Sequence, residues 1–136
     1  MIRAHALPGG RAPLHGSGVG KALLAALAPE RAAALMADLS MPALTPNPLP
    51  ARKGLMSALE AVRRAGYAVD DEEQSLGMRC VAAAIYDENA EPVAAVSITG
   101  PSARVSSERI DSIGARVKAA AQEITDAIGG LHRDDR

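Results

Sequence analysis

The residues able to do chemistry fall in four short stretches. The first is Arg11 to Lys21, where Gly16, Gly18 and Gly20 alternate with Ser17 and Val19 just before the apolar run Ala22-Leu23-Leu24-Ala25-Ala26-Leu27. A helix that starts here leaves its first amides without internal partners, and its dipole favours negative charge at that end. Small residues let another group come close to the backbone. The stretch is therefore a candidate seat for a small anion. Its plainer reading is a glycine-rich turn with Ser17 capping a core helix. The phosphate-loop pattern fails, because His15 holds the first glycine position and Ala22 the hydroxyl position. The dinucleotide fingerprint fails on the last glycine interval.

The other three stretches are Asp70-Asp71-Glu72-Glu73, the lone Cys80, and the pair Ser97 and Thr99. An acidic run is ordinarily a solvated turn, but this one directly follows a strand, so at least one member can face inward. Ser97 and Thr99 share a strand face and need partners if that face is covered: backbone, each other, or a ligand beside Cys80. Cys80 as nucleophile, His15 as base and the Gly18 and Val19 amides as oxyanion donors would make a small hydrolase. No third group to orient His15 is evident, and a mid-strand cysteine is ordinarily inert core. No His, Cys and Asp spacing argues for a metal, and no cofactor is implied.

These residues need a scaffold. Met1 to Leu7 reads as a strand closed by Pro8-Gly9-Gly10. A helix follows from Gly18 to Leu27, and a second begins at Pro29 with Ala32, Leu35, Met36 and Leu39 at helical spacing. Pro42, Pro46, Pro48 and Pro50 mark a connector over 40–50. A third helix spans Ala51 to Ala65 on a Leu55, Leu59 and Val62 stripe, with Gly66 ending it. Tyr67 to Val69 is a short strand. Gly77–Tyr86 and Glu91–Gly100 form a hairpin around Asp87-Glu88-Asn89-Ala90. Both faces of its second strand are largely apolar, which predicts that both are covered. Ser106 is placed to cap a last helix carrying Ile110, Ile113, Val117, Ala121, Ile124 and Ile128, with Gly129-Gly130 as its stop. The charged tail over 131–136 is expected to fray. The fold class is α+β: one domain over 1–130, an antiparallel sheet flanked by helices.

With 136 residues the chain suits a single domain. Net charge is −1 and only Tyr67 and Tyr86 are aromatic, so this chain has no basic, aromatic-laced surface for nucleic acid. A core rich in alanine needs close packing of helix on sheet. No apolar run reaches the ~20 residues of a membrane span, and no secretory signal is evident. A single cysteine fits a reducing compartment. The chain reads as cytoplasmic, with no membrane partner.

The succession Pro13-Leu14-His15-Gly16-Ser17-Gly18-Val19-Gly20-Lys21-Ala22-Leu23-Leu24, then Gly66 to Glu73, Gly77 to Ala82 and Ser97-Ile98-Thr99-Gly100-Pro101 resembles the effector-binding domain of IclR-type bacterial transcription regulators. The resemblance implies a GAF- or profilin-like sensor fold in a repressor that works as a dimer or tetramer. It implies that DNA is bound only through an N-terminal winged helix-turn-helix absent from this chain, together with a linker helix and the first sensor strands. An uncovered sheet edge would invite association. The branch most similar senses glyoxylate and related short oxo-acids. For that small organic acid the resemblance implies amide contacts at Gly18 and Val19, polar contacts at Asp70, Cys80, Ser97 and Thr99, and apolar walls at Met78 and Ile98, with Met1 and Ala4 beyond. Thr99 stands where serine is more usual in the branch, and Val19 where a smaller residue often stands; their methyl groups narrow the pocket. A pure association module with a filled core is the remaining alternative.

Overall fold

The computed structural model describes residues 8–39, 45–46 and 52–132, with only the backbone of residues 52 and 53. The strand expected at Met1 to Leu7 lies outside the described residues, as does most of the proline connector. Helices α1 (Gly18–Ala26), α2 (Pro29–Asp38) and α3 (Arg52–Ala65) precede strands β1 (Ala68–Asp71), β2 (Met78–Tyr86) and β3 (Pro92–Pro101). A 3-10 turn, Ser107–Arg109, leads into α4 (Ile110–Ala127). The strands form an antiparallel sheet in the order β1-β2-β3, so the α+β reading holds.

Alternation along β2 divides the interior. Val81, Ala83 and Ile85 face α4, packing on Val105, Ile113, Val117 and Ala121 with Tyr67 and Val69 beside them. Cys80 and Ala82 face the other way and, with Ala68, pack on Ala22 of α1. Behind α1, Leu24 and Ala25 meet Ala32 and Met36 of α2 and Leu55 and Leu59 of α3. α1 is thus sandwiched between the sheet and a second helical layer, which explains why it is apolar nearly all round.

Several local expectations hold. Pro29 opens α2, and the C-terminal glycines Gly66 (φ +83°) and Gly129 (φ +76°) take the left-handed conformation that ends α3 and α4. Others are corrected. β3 is not covered on both faces: it is the sheet edge among the described residues, Val93 and Ile98 are 56% and 43% exposed, and Ser97 and Thr99 are exposed. An apolar strand sequence records what a strand can bury, not which neighbours reach it. Ser106 makes no side-chain cap, because the 3-10 turn intervenes before α4. Leu35, Ile124 and Ile128 are exposed. On α4 the buried face instead runs from Ala121 to Thr125, whose Oγ1 accepts the Tyr86 N–H at 3.2 Å. The tail is tied down at its start, where the Leu131 N–H donates to the Asp87 carbonyl at 2.9 Å.

Candidate functional site

The tip of α1 is built by Ser17. Its Oγ accepts the Gly20 N–H at 2.9 Å and donates to the Pro13 carbonyl at 2.7 Å, and its own carbonyl accepts the Lys21 N–H at 3.0 Å. This uses the third and fourth amides of the helix region. The Gly18 and Val19 amides, the first two of α1, have no acceptor among the described residues. Two glycines make the geometry possible. A Cβ at Gly20 would stand 2.5 Å from the Leu14 carbonyl oxygen, and one at Gly18 would stand 2.9 Å from Cys80 Sγ.

Gly18 therefore lies directly on the sheet, above Cys80. Register does the rest. Asp70 pairs with Cys80 and Cys80 with Thr99, so the three form one row across β1, β2 and β3. The next row is Ala68, Ala82 and Ser97. All six side chains share the α1 face by alternation. Thr99 stands directly across from Cys80 and Ser97 diagonally, and both hydroxyls favour its thiolate. Met78, two residues before Cys80, stands on the same face at the start of β2. Ile98 does not join them: it pairs with Val81 and takes the α4 face. Val19 packs against the Ala22, Ala68, Cys80 and Ala82 cluster.

Burial pushes the Cys80 thiol up, with the two hydroxyls pulling the other way. A nucleophilic cysteine needs the opposite shift, which removes the basis of the hydrolase reading. Burial is also the largest influence on Asp70 and raises it. The Glu73 and Gln74 amides, donating to its Oδ1 at 2.9 and 3.3 Å, oppose that rise. The Glu73 charge raises it further and Lys21 lowers it.

Lys21 and Glu73 are the members that sequence reasoning missed. Lys21 is only 3% exposed. Its Nζ lies 3.0 Å from both Glu73 carboxylate oxygens and also donates to the Val69 carbonyl. The pair fastens the first turn of α1 to the acidic run. That run splits: Asp70 and Glu73 are buried, whereas Asp71 is exposed and pairs with Arg79 at 2.7 Å. Glu72 between them takes φ 58°, which turns the chain, and its carboxylate accepts the Gly77 N–H at 2.6 Å. A lysine inside an otherwise apolar helix was the available signal, because a buried ammonium requires a partner.

The assembled groups offer donors of the kind a small carboxylate takes: two amides at a positive helix end without acceptors among the described residues, and two hydroxyls, the Lys21 ammonium being already engaged by Glu73 and Val69. Among the described residues no group of three His, Cys, Asp or Glu is placed to hold a metal ion. No described helix is long and apolar enough to cross a membrane.

The sequence matches the family described as bacterial transcriptional regulator IclR C-terminal over residues 1–126. It is 44% identical over 131 residues to the transcriptional repressor IclR of Escherichia coli K12, covering 96% of this chain and 48% of that protein. To the HTH-type transcriptional repressor AllR of the same organism it is 43% identical over 129 residues, covering 95% and 48%. The chain thus spans about half the length of the curated relatives it matches. Among solved structures, the Thermotoga maritima IclR superposes with a TM-score of 0.81 at 34% identity, covering 85% of this chain and 47% of that one.

Proposed function

Since the chain belongs to the family of bacterial IclR-type regulators, as their C-terminal effector-binding domain, we propose that it senses a short oxo-acid of the glyoxylate or pyruvate kind. The relatives are transcriptional repressors, a regulatory rather than an enzymatic family. The ligand carboxylate lies against the Gly18 and Val19 amides. Its oxo or hydrated end faces Cys80, Ser97 and Thr99, with Asp70 and Met78 at the margins. A two- or three-carbon acid is mostly polar, so it needs several donors and little apolar wall. One observation supports this reading: Gly18, at the helix end whose first two amides lack acceptors among the described residues, lies against Cys80, in the row that also holds Thr99. Ile98, on the other sheet face, plays no part in it.

Occupancy of this seat is passed to operator DNA by a DNA-binding domain elsewhere in the longer protein, in the cytoplasm. The open β3 edge, with Val93 and Ile98 exposed, supports self-association into a dimer or tetramer.

Calorimetric titration with glyoxylate and pyruvate tests the reading. Saturable binding is expected. In Gly18→Ala it weakens by about tenfold or more, because charge-assisted hydrogen bonds contribute about 1.5–3 kcal/mol each. Adding Cys80→Ala makes room for the new methyl group and restores part of the affinity, short of what the Cys80 thiol contributes. No saturable heat with any short oxo-acid, or unchanged affinity in Gly18→Ala, overturns it. Asp70→Asn weakens glyoxylate, which hydrates readily, more than pyruvate if Asp70 accepts from the hydrate hydroxyl; equal losses remove that role.

A further inference from the structure

β1 begins opposite Ala82, so, among the described residues, 83–86 of β2 have a strand partner only on the β3 side. A cavity of about 280 Å³ opens at this unpaired stretch, at the far end of α1 from Gly18. Its lining includes Arg63 and Arg64 of α3, Lys118 and Gln122 of α4, and Ala25 of α1. No described Asp or Glu lines it.

Arg63 is the informative member. Its side chain is nine-tenths buried. Nε donates to the Ala25 carbonyl at 2.9 Å, and Nη1 pairs with the exposed Glu60 at 2.7 Å. These two bonds fix the guanidinium plane. Nη2 is closed off from solvent, and no acceptor among the described residues meets it. A buried guanidinium nitrogen left without an acceptor is costly. Two further cations on the same wall add to the positive potential. Lys118 is held close by packing, since its side-chain carbons lie where a Cβ on Gly66 would stand.

We propose that this cavity is a second anion site, separate from the α1 tip, taking a compact organic anion that presents a carboxylate or phosphate to the exposed edge of the Arg63 side chain. Arg64 and Lys118 supply the remaining positive charge, and Gln122 supplies an amide. The volume exceeds that of a lone oxyanion, so a small organic body fits with it. The inference does not depend on the oxo-acid reading, because none of the residues at the α1 tip lines this cavity.

The test uses the whole chain, titrated with citrate and, in a separate arm, with inorganic phosphate, at about 0.15 M salt to screen loose surface binding. Saturable binding of at least one probe is expected, with amide chemical-shift changes centred on residues 63–67 and 118–122. The responding arm tells carboxylate from phosphate. Arg63→Met should lower that affinity about tenfold or more, as expected for loss of a charge-assisted bond. Because Arg63→Met also removes the bond to Ala25, Lys118→Gln at an exposed position serves as the second variant, with a smaller loss, a few-fold. Glyoxylate binding at Gly18 should be unchanged in Lys118→Gln. No saturable binding in either arm, or affinity unaltered in both variants, overturns the proposal.

Discussion

The two faces of the sheet are built on opposite rules. Toward α4, Val81, Ile85, Ile113 and Val117 fill the space with branched apolar side chains. Toward α1, the same strands present Ala68, Cys80 and Ala82, and the buried company includes Ser17, Lys21, Asp70 and Glu73. The first arrangement maximises apolar area removed from water. The second spends burial on polar groups that need exact partners, and it leaves two amides unmatched. Apolar packing is concentrated on one face and buried polar groups on the other, with β2 contributing alternate residues to each.

Breaking the Lys21–Glu73 pair should give the largest effect. Lys21→Met strands a buried carboxylate and should cost about 3–5 kcal/mol in urea unfolding. Lys21→Met combined with Glu73→Leu should recover most of that stability, since an apolar pair of similar volume can replace a buried ion pair. The same double variant loses one charge of each sign, so its oxo-acid affinity should stay within a few-fold of the parent's. A double variant that folds well but no longer binds would show that the ion pair itself takes part in recognition. Ile113→Ala opens a void on the opposite face and should cost about 3 kcal/mol. Under conditions where it is folded, its oxo-acid affinity should match the parent's; a parallel loss of affinity would dissolve the division between the faces.

The smallest effect sharpens the comparison through pH. Burial holds Asp70 above the ordinary carboxylate range in the folded chain. The folded state therefore keeps this proton to higher pH than the unfolded chain does. The associated stability is full below the unfolded value and is lost as pH rises through the raised one. Asp70→Asn does not titrate and retains an oxygen for the Glu73 and Gln74 amides. Its stability relative to the parent should therefore rise from acid to neutral pH. Thermal unfolding across that range reads the slope, and a slope of the opposite sign would contradict the burial argument.

What the sequence revealed was local. The Ser17 cap, Pro29 at the start of α2, the Gly66 stop and the β2–β3 hairpin each follow from residues adjacent in the chain. The row of Asp70, Cys80 and Thr99 was reachable only through family resemblance, because register between strands is not written in composition. The Lys21–Glu73 pair joins positions 52 apart, and although each lies in a run singled out above, nothing in either run says that the two meet. The exposure of β3 depends on what lies beyond it. The shift of the α4 face from Ile124 to Thr125 arises from the Thr125 bond to Tyr86, a tertiary contact that outweighs the apolar stripe. The cavity at Arg63 exists because β1 starts opposite Ala82, three strand positions short of Ile85, a detail of strand length that periodicity does not resolve.

The seam between α1 and β2, where Ala22 meets Ala82, is made of methyl groups on both sides. Alanine has no rotamers to lose, so ordering these side chains costs almost no conformational entropy. For the same reason a nudge to the backbone at this seam cannot be absorbed by a side chain swinging into another well.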